Sequence, residues 1–172
     1  EHIPLGDVEI QVLHPSGLTG DSNEDSLVLQ LTCGDVQVLL TGDAGADSES
    51  SMLKAGVLED VDVLKVGHHG SRSSTTQDFL DMVQPEFAII SAGRNSQYGH
   101  PHPEVMDRLQ RAGIEVLHTD TSEGDDTLKM VSDRVLCDPA AYCPNRDQAG
   151  SHSYSSTSVS PFNYPRSNVH FT

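Results

Sequence analysis

The sequence predicts an α/β fold in which helices pack on a central sheet. Up to about residue 132, short runs rich in β-branched and aliphatic residues alternate with segments whose apolar residues recur at helical spacing. Glycine, aspartate and proline separate these runs, as expected at turns and helix ends. With 172 residues, the chain is long enough for one domain with its own hydrophobic core.

Seven runs have the composition of strands. The turn-prone tripeptide Cys33-Gly34-Asp35 separates the second run from the third, so the first three runs predict an antiparallel meander. The predicted strands cover residues 8–13, 26–32, 36–41, 61–66, 87–91, 114–118 and 127–131.

Three segments between these strands are predicted helices, at residues 47–55, 75–83 and 103–112. Ser74 or Thr75 and Pro103 are suitable first residues, while Gly56 and Gly113 are suitable ends. The later order of strand, helix, strand, helix and strand predicts crossover connections, which place helices against the sheet.

The chain divides into two regions by composition. Residues 1–132 carry all of the predicted helices and strands. From about residue 133, serine, asparagine, proline, tyrosine and glycine dominate, and few aliphatic residues remain. Residues 133–172 are therefore predicted to be a loop-rich or disordered extension of the domain.

Charge and hydropathy restrict the function classes. The chain has 26 acidic and 10 basic residues, a formal net charge of -16, which repels a phosphodiester backbone and argues against a passive nucleic-acid coat. A contact with DNA would need a metal ion or a local basic patch. No run approaches the roughly 18 consecutive apolar residues of a membrane span. We expect a soluble chain, with an extracellular or cell-surface location left open.

The first candidate loop follows the predicted strand 36–41 and contains Thr41-Gly42-Asp43. Ligands of open α/β sheets bind beyond the carboxyl ends of the strands, which is where Asp43 is expected. A carboxylate there can ligate a metal ion through its oxygens. Because Asp43 also precedes a predicted helix, and helix caps prefer aspartate, capping is the alternative.

The second candidate loop is Gly67-His68-His69-Gly70-Ser71. Neighbouring side chains on an extended chain point in opposite directions, so one imidazole would reach a metal ion while the other supports it or moves protons. Gly67 and Gly70 permit close backbone approach and unusual dihedral angles. Ser71 could bind phosphate or water, or start the next helix. Exposed turn histidines without a role are the alternative.

The third candidate loop, Tyr98-Gly99-His100-Pro101-His102-Pro103, follows the predicted strand 87–91. The prolines hold the histidines in an extended arrangement, which suits a metal ligand or a proton donor. His100 is the stronger candidate, because His102 lies next to the predicted helix and could simply pack there. A proline-stiffened loop with Pro103 in the first helical turn is the alternative.

Together, the three loops supply carboxylate and imidazole groups and no thiolate. This donor set is compatible with zinc or manganese and unfavourable to an iron–sulfur cluster. Basic and polar residues near the loops are candidates for binding a phosphate-containing substrate, namely Lys65, Ser71, Arg72, Asn95 and His102.

These motifs resemble the metallo-β-lactamase-fold hydrolase domain attached to ComEC/Rec2 DNA-uptake channels. The resemblance covers roughly residues 8–132 and keeps the order and spacing of the motifs. It runs from Asn23 and Ser26-Leu27-Val28-Leu29, through Leu39-Leu40-Thr41-Gly42-Asp43 and Asp62-Val63-Leu64-Lys65-Val66-Gly67-His68-His69-Gly70-Ser71, to Asn95, Tyr98-Gly99-His100-Pro101-His102-Pro103 and Thr119-Asp120.

The resemblance implies an αβ/βα sandwich, of which this chain carries mainly the C-terminal half, and hydrolysis by a metal-activated water. It also implies a two-metal site at the strand ends. By resemblance, Asp43 is a bridging or second-metal carboxylate, His100 is a late ligand, and His68 or His69 is a ligand or a catalytic imidazole. Which histidine of the pair faces the metal stays open.

The chain departs from the family at its main ligand motif. Family members carry an upstream His-x-His-x-Asp-His signature, which the early His2 and His14 do not form. We therefore expect this chain alone to bind metal weakly or not at all. A missing N-terminal half that would complete the site is one explanation, and a degenerate, non-catalytic relative is the other.

The leading interpretation is a metal-dependent hydrolase, a phosphodiesterase or nuclease related to DNA uptake, acting on single-stranded DNA or another phosphodiester. His68, His69 and His100 are the candidate catalytic residues, and either of the last two would donate a proton to the leaving oxygen. The competing interpretation is a non-catalytic binding or assembly module that retains the fold without a full metal site. Lactam or thioester hydrolysis ranks third, since a fold does not determine a substrate.

Overall fold

The strands follow one another across a single mixed sheet in the order in which they occur in the chain. The structure is a computed structural model, and it describes residues 1–93 and 96–119. Within that part, the strands are β1 (His2–Leu5), β2 (Val8–His14), β3 (Val28–Cys33), β4 (Val36–Leu40), β5 (Val63–Lys65), β6 (Phe87–Ile90) and β7 (Glu115–His118). The helices are α1 (Ala46–Ala55), α2 (Gln77–Val83) and α3 (Pro103–Arg111).

Strands β1 to β4 form an antiparallel meander. Cys33 pairs with Val36, so Gly34 and Asp35 alone form the turn between β3 and β4. Gly34 has a φ of +60°, which glycine adopts without steric cost in tight hairpins. The meander predicted from the sequence is confirmed.

The sequence analysis missed β1. All four of its residues are exposed, so it shows no apolar periodicity of a buried strand. It also contains Pro4, which has no N–H group and is tolerated in a sheet mainly at an edge. Among the described strands, β1 pairs with β2 alone and forms that edge.

Strands β4 to β7 are parallel neighbours. Helix α1 connects β4 to β5, α2 connects β5 to β6, and α3 connects β6 to β7. The predicted crossover connections are therefore confirmed. Because parallel strands run in one direction, the carboxyl ends of these four strands lie at the same edge of the sheet.

Several element boundaries differ from the prediction by one or more residues, and two of these differences have a local reason. The helix predicted at 75–83 begins at Gln77, because Thr75 has a φ of +54°, outside the right-handed helical region. The strand predicted at 61–66 is shortened to Val63–Lys65, and a single 3-10 turn follows at Gly67–Gly70. The strand predicted at 127–131 and the extension at 133–172 lie outside the described residues.

One face of the sheet forms the core together with the helices. Burying each aliphatic side chain contributes roughly 1.5–3 kcal/mol. The fully buried members include Val28, Leu39, Leu64, Ala88 and Ile90 from the strands and Met52, Phe79, Leu80 and Leu109 from the helices.

The opposite face of the sheet is also apolar. Leu29, Leu31 and Val38 alternate with the core positions and are only half-buried within the described part of the chain. A sheet face of this composition is typically covered by a second layer of structure.

Among the helices of residues 1–93 and 96–119, none is long and apolar enough to cross a membrane.

Candidate functional site

The three candidate loops meet at one edge of the sheet. Asp43 follows β4, the His68 and His69 pair follows β5, and His100 lies between β6 and α3. Since β4, β5 and β6 are adjacent parallel strands, their carboxyl ends bring these loops together. This edge is where open α/β sheets place their ligands.

Backbone hydrogen bonds tie the three loops to one another. The N–H of His68 donates to the carbonyl oxygen of Gly42 at 3.1 Å, and the N–H of His102 donates to that of Gly70 at 2.9 Å. The hydroxyl of Thr41 also donates to the carbonyl oxygen of Lys65 at 2.7 Å. The loops therefore form one connected unit on the rigid ends of the strands.

The sequence analysis assumed that the histidine pair lies on an extended chain. The structure shows that this assumption is wrong. His68 and His69 have φ values of 46° and 55°, both in the left-handed region. For residues other than glycine, such conformations cost of order 1–3 kcal/mol each and often occur at functional sites. The two rings are 6.5 Å apart between centroids.

Gly67 and Gly70 are required by close approach. A Cβ atom at Gly67 would lie 3.0 Å from the carbonyl oxygen of Ala44, and one at Gly70 would lie 2.7 Å from Cβ of Pro101. Both distances are too short for ordinary packing. The glycines therefore allow the second loop to sit tightly against the first and the third.

The three imidazole rings of His68, His69 and His100 form a triangle at this edge. The centroid of His100 is 5.7 Å from that of His68 and 6.5 Å from that of His69. His68 and His100 are half-buried and His69 is exposed. The structure thus brings together all three histidines that the sequence analysis selected as candidate catalytic residues.

Asp43 joins this group and does not cap α1. The N-cap residue of α1 is Gly45, without a side-chain capping bond, so the capping alternative is wrong. Instead, Oδ1 of Asp43 lies 3.5 Å from Nε2 of His69. The N–H of Asp43 donates to the hydroxyl of Ser26 at 3.1 Å, which holds the loop in this position.

The contact between Asp43 and His69 brings two acceptors face to face. Nδ1 of His69 hydrogen-bonds to the carbonyl oxygen of Ser91, and because a carbonyl oxygen can only accept, Nδ1 must carry a proton. In the neutral ring, Nε2 is then an acceptor that faces a carboxylate. Such a pair is stable with a cation, either a proton on Nε2 or a metal ion bound to both groups.

The separation of these two donor atoms fits a shared metal ion. Two ligand atoms of a tetrahedral zinc ion are about 3.4 Å apart, given metal–ligand distances of roughly 2.0–2.1 Å. The carbonyl of Ser91 is the kind of partner that orients a metal-binding histidine. However, no three His, Cys, Asp or Glu residues among the described positions form a ready-made metal-binding group. The residues therefore fit part of a coordination shell.

His100 has the electrostatics of a ligand. Partial desolvation lowers its pKa from the usual 6.5, and the neighbouring His102, His68 and His69 lower it further, while Asp43 raises it. At neutral pH the ring is therefore mainly neutral and keeps the lone pair that metal binding needs.

His102 supports His100 from the start of α3. Its ring packs edge to face on that of His100 with a centroid distance of 4.9 Å, and its Nδ1–H donates to the carbonyl oxygen of Gly99 at 3.1 Å. His102 is the N-cap residue of α3, although its side chain makes no capping bond.

The remaining predicted substrate-binding residues occupy different surroundings. Lys65 is half-buried, and Nζ donates to the carbonyl oxygen of Val66 at 2.7 Å. Desolvation lowers the pKa of Lys65, while Asp43 raises it. Ser71 is buried, with its hydroxyl 3.0 Å from that of Ser73, and no helix starts there. Arg72 is exposed, and Asn95 lies outside the described residues.

A cleft of about 500 Å³ opens beside the candidate ligands. His69 and His100 line one part of it, and the other lining residues include Ser91, Ser96, Tyr98 and Thr119. This volume is within the range of small-molecule sites in proteins. The cleft therefore gives a substrate access to the candidate ligands.

Sequence reasoning missed the role of Ser26, which was quoted among the motif residues without a function. Its hydroxyl accepts the N–H of Asp43, a contact between residues 17 positions apart. Nearby, Glu24 accepts hydrogen bonds from Ser48, and Asp25 accepts them from Thr19 and Gly20. These carboxylates fold the loop before β3.

Comparisons with known proteins agree with this architecture. Residues 3–94 match the family described as the metallo-beta-lactamase superfamily. The chain is 43% identical over 119 residues to ComE operon protein 3 of Bacillus subtilis (strain 168), an alignment that covers 69% of this chain and 15% of that protein.

Two further relatives show the same partial coverage. Recombination protein 2 of Haemophilus influenzae is 40% identical over 129 residues, covering 74% of this chain and 16% of the relative. Competence protein ComA of Neisseria gonorrhoeae is 38% identical over 117 residues, covering 67% of this chain and 17% of the relative. The chain thus spans about one sixth of the length of these proteins. It belongs to the metallo-beta-lactamase superfamily, as an α/β domain related to the ComEC/Rec2/ComA competence proteins.

Proposed function

We propose that this chain is part of a metal-dependent hydrolase that cleaves phosphodiester bonds, with single-stranded DNA as the substrate. The observation that carries the proposal is the pair of facing acceptors, Asp43 Oδ1 and His69 Nε2, 3.5 Å apart beside an open cleft. Relatives named as competence and recombination proteins support DNA as the substrate.

Asp43 and His69 would hold a zinc or manganese ion, with the neighbouring His100 as the candidate for a further ligand. When bound, such an ion neutralises charge on a phosphate and lowers the pKa of a coordinated water molecule. The lowered pKa of His100 favours a ligand over a proton donor at neutral pH. His68, whose ring lies 5.7 Å from that of His100, is then the candidate that donates a proton to the leaving oxygen.

Phosphate binding would depend on few cations. Lys65 ends β5 and Arg72 follows the second loop, so both flank the histidine pair in sequence. The exposed guanidinium of Arg72 can form paired hydrogen bonds with a phosphate. Lys65 contributes charge beside Asp43 more than a free donor, because its Nζ already bonds to the carbonyl oxygen of Val66.

The rest of the coordination shell would come from a segment that carries the His-x-His-x-Asp-His signature. The signature is absent from this sequence, and the described residues form no three-donor group. We propose such a segment as a partner that completes the two-metal site. In its absence, the chain would bind a single divalent ion weakly.

The absent ligand signature and the lack of a three-donor group among the described residues favour a second candidate function. This function is a non-catalytic binding or assembly module of the same fold. A module of this kind would not need the strained His68 and His69 conformations or the facing acceptors at Asp43. These features make hydrolysis the preferred function.

Manganese binding and hydrolysis of a 5′-labelled single-stranded oligonucleotide test the proposal together. We expect the chain to bind Mn²⁺, and Asp43→Asn and His69→Ala to weaken binding by about tenfold or more. Asp47→Asn is the charge-matched control, because Asp47 is exposed in the first turn of α1, and it should leave binding unchanged.

Hydrolysis should appear when a segment with the ligand signature is added, and Asp43→Asn should abolish it. A chain that binds Mn²⁺ equally well without Asp43, and stays inactive with the added segment, would instead support the assembly module.

A further inference from the structure

Tyr98 is an exposed aromatic residue at the candidate site. Three phenylalanine and tyrosine residues lie in the described part of the chain. Phe79 and Phe87 are 1% and 6% exposed, as expected for core residues, whereas Tyr98 is 68% exposed. An aromatic ring that lies in water next to a cleft has a face on which a flat ligand can stack.

The position of Tyr98 suits a flat ligand. Its ring lines the cleft together with His69 and His100 and lies 5.9 Å from the ring of His100, at an angle of 31° between the planes. The two rings are therefore neighbours at the cleft, and their planes are tilted against each other.

Hydrogen bonds hold the turn that carries Tyr98. The N–H of Gly99 donates to the carbonyl oxygen of Ser96 at 3.0 Å, and the carbonyl oxygen of Gly99 accepts Nδ1–H of His102 at 3.1 Å. His102 begins α3. The ring is thus attached to a helix start by short, local contacts, which limits the entropy lost when a ligand stacks on it.

We infer that Tyr98 stacks on the nucleobase next to the phosphate that enters the site. This inference rests on the proposed function. It makes Tyr98 a substrate-positioning residue. Stacking on an aromatic ring is available to every base, so it provides affinity with little sequence preference. It requires an unpaired base, because the bases of a duplex are already stacked on one another. The inference therefore specifies single-stranded nucleic acid.

The charge of the chain makes this contact important. With a net charge of -16, the chain gains little from the phosphate attraction that dominates most nucleic-acid binding. A stacked base supplies affinity that does not depend on charge. Binding at this site should depend on the base more than is usual for a DNA-binding protein.

The test measures binding of a short thymidine oligonucleotide that contains one 2-aminopurine, whose fluorescence is quenched by stacking. The chain is used with EDTA, so that binding is observed without hydrolysis. We expect Tyr98→Ala to weaken binding by about tenfold, whereas Tyr98→Phe and Tyr98→Trp should retain it. Leu18→Ala is the control, since Leu18 is an exposed apolar residue, 83% accessible, outside the cleft.

Two further ligands separate stacking from other contacts. An oligonucleotide of abasic nucleotides should bind weakly and equally to the wild-type chain and to Tyr98→Ala, and a fully paired duplex should cause no quenching. Equal binding of the base-bearing oligonucleotide to both chains, or no quenching with the wild type, would overturn the inference.

The readouts also separate this inference from the proposed function. If the chain shows no hydrolysis but still quenches 2-aminopurine in a way that depends on Tyr98, the proposed hydrolase function is rejected and the stacking role is retained. Hydrolysis that needs Asp43 but is unaffected by Tyr98→Ala, at substrate concentrations below KM, would reject the stacking role alone.

Discussion

Ser26 shows how a single hydroxyl positions the candidate ligand Asp43. It accepts the backbone N–H of Asp43 at 3.1 Å, and it also lies against Gly42, where an added Cβ would be 3.3 Å from Cβ of Ser26. The hydroxyl therefore orients the loop that carries the carboxylate, without itself facing His69.

Ser26→Ala should weaken Mn²⁺ binding by about tenfold, as is typical when a residue that orients a ligand is removed. Folding should be largely retained, because the loss of one partly buried hydrogen bond costs about 1 kcal/mol. Calorimetric titration with Mn²⁺ measures the affinity. Ser22→Ala, at an exposed position of the same loop, is the matched control, and equal effects of both variants would contradict the positioning role.

His100 provides a second test at this scale. Desolvation is the largest cause of its lowered pKa, followed by His102 and then the other two histidines. His102→Ala exposes the ring of His100 and removes one neighbouring charge, so the pKa of His100 should rise toward 6.5. A titration of the imidazole resonances by NMR measures this, and an unchanged or lower pKa would show that other groups set its value.

At the scale of elements, Glu49 connects α1 to the segment before α2. Its carboxylate accepts the N–H groups of Thr75 and Thr76, and Arg108 from α3 donates to the carbonyl oxygen of Thr75. Glu49 is only 2% exposed. These contacts stabilise the chain where Thr75 takes its left-handed conformation and delay the start of α2 to Gln77.

Desolvation raises the pKa of Glu49 above 4.5, although the amide donors and Arg108 oppose the shift. The folded chain therefore binds more protons than the unfolded chain between pH 4.5 and the raised value. Over this interval, the contribution of Glu49 to the free energy of unfolding falls as the pH rises.

Urea denaturation between pH 4 and 8 should show this fall as a difference between the wild type and Glu49→Gln. Glu59→Gln, at an exposed position, should show none. Glu49→Ala, which leaves the buried amides unpaired, should lower the free energy of unfolding by about 2 kcal/mol. A wild-type contribution that grows with pH would contradict the raised pKa.

From β2 to β7, the order of elements was predictable because local patterns determine it. An apolar run that ends in Gly42-Asp43 or Gly67-His68 predicts both a strand and the loop that follows it, from only a few residues. The left-handed His68 and His69 were not predictable, since their conformation depends on contacts of Gly67 and Gly70 with Ala44 and Pro101. The orientation of the His69 ring toward Asp43 depends on its hydrogen bond to the carbonyl oxygen of Ser91. Because Ser91 is 22 residues away from His69, local patterns do not predict this contact.

At the scale of the whole molecule, a strongly negative chain carries a site proposed to bind a polyanion. A net charge of -16 disfavours the approach of DNA at low ionic strength. Screening at higher salt reduces this repulsion as well as any attraction. Among residues 1–93 and 96–119, the cations that flank the histidine pair are Lys65 and Arg72, and they offset only a small part of the charge.

The affinity for a single-stranded oligonucleotide should therefore depend weakly on salt. In single strands, each phosphate neutralised by the protein contributes about -0.7 to the slope of log K against log salt. We expect a slope no steeper than about -1.5, from the two cations, Lys65 and Arg72, that flank the histidine pair in the described part of the chain. Fluorescence titrations from 50 to 500 mM NaCl measure it, and a slope of about -4 would show a basic track that the described residues do not contain.

The candidate ligands lie at the edge of the sheet where metallo-beta-lactamase relatives are expected to bind metal, and cation binding at this edge can be measured directly. Parallel strands β4 to β6 bring Asp43, His69 and His100 to one place, and the central claim is that Asp43 and His69 share a cation. The most direct measurement is a crystal structure of the chain soaked in MnCl₂, with anomalous scattering to locate manganese. The account predicts an anomalous peak about 2.2 Å from both Asp43 Oδ1 and His69 Nε2. Manganese bound only elsewhere, with Asp43 and His69 pointing apart, would contradict it.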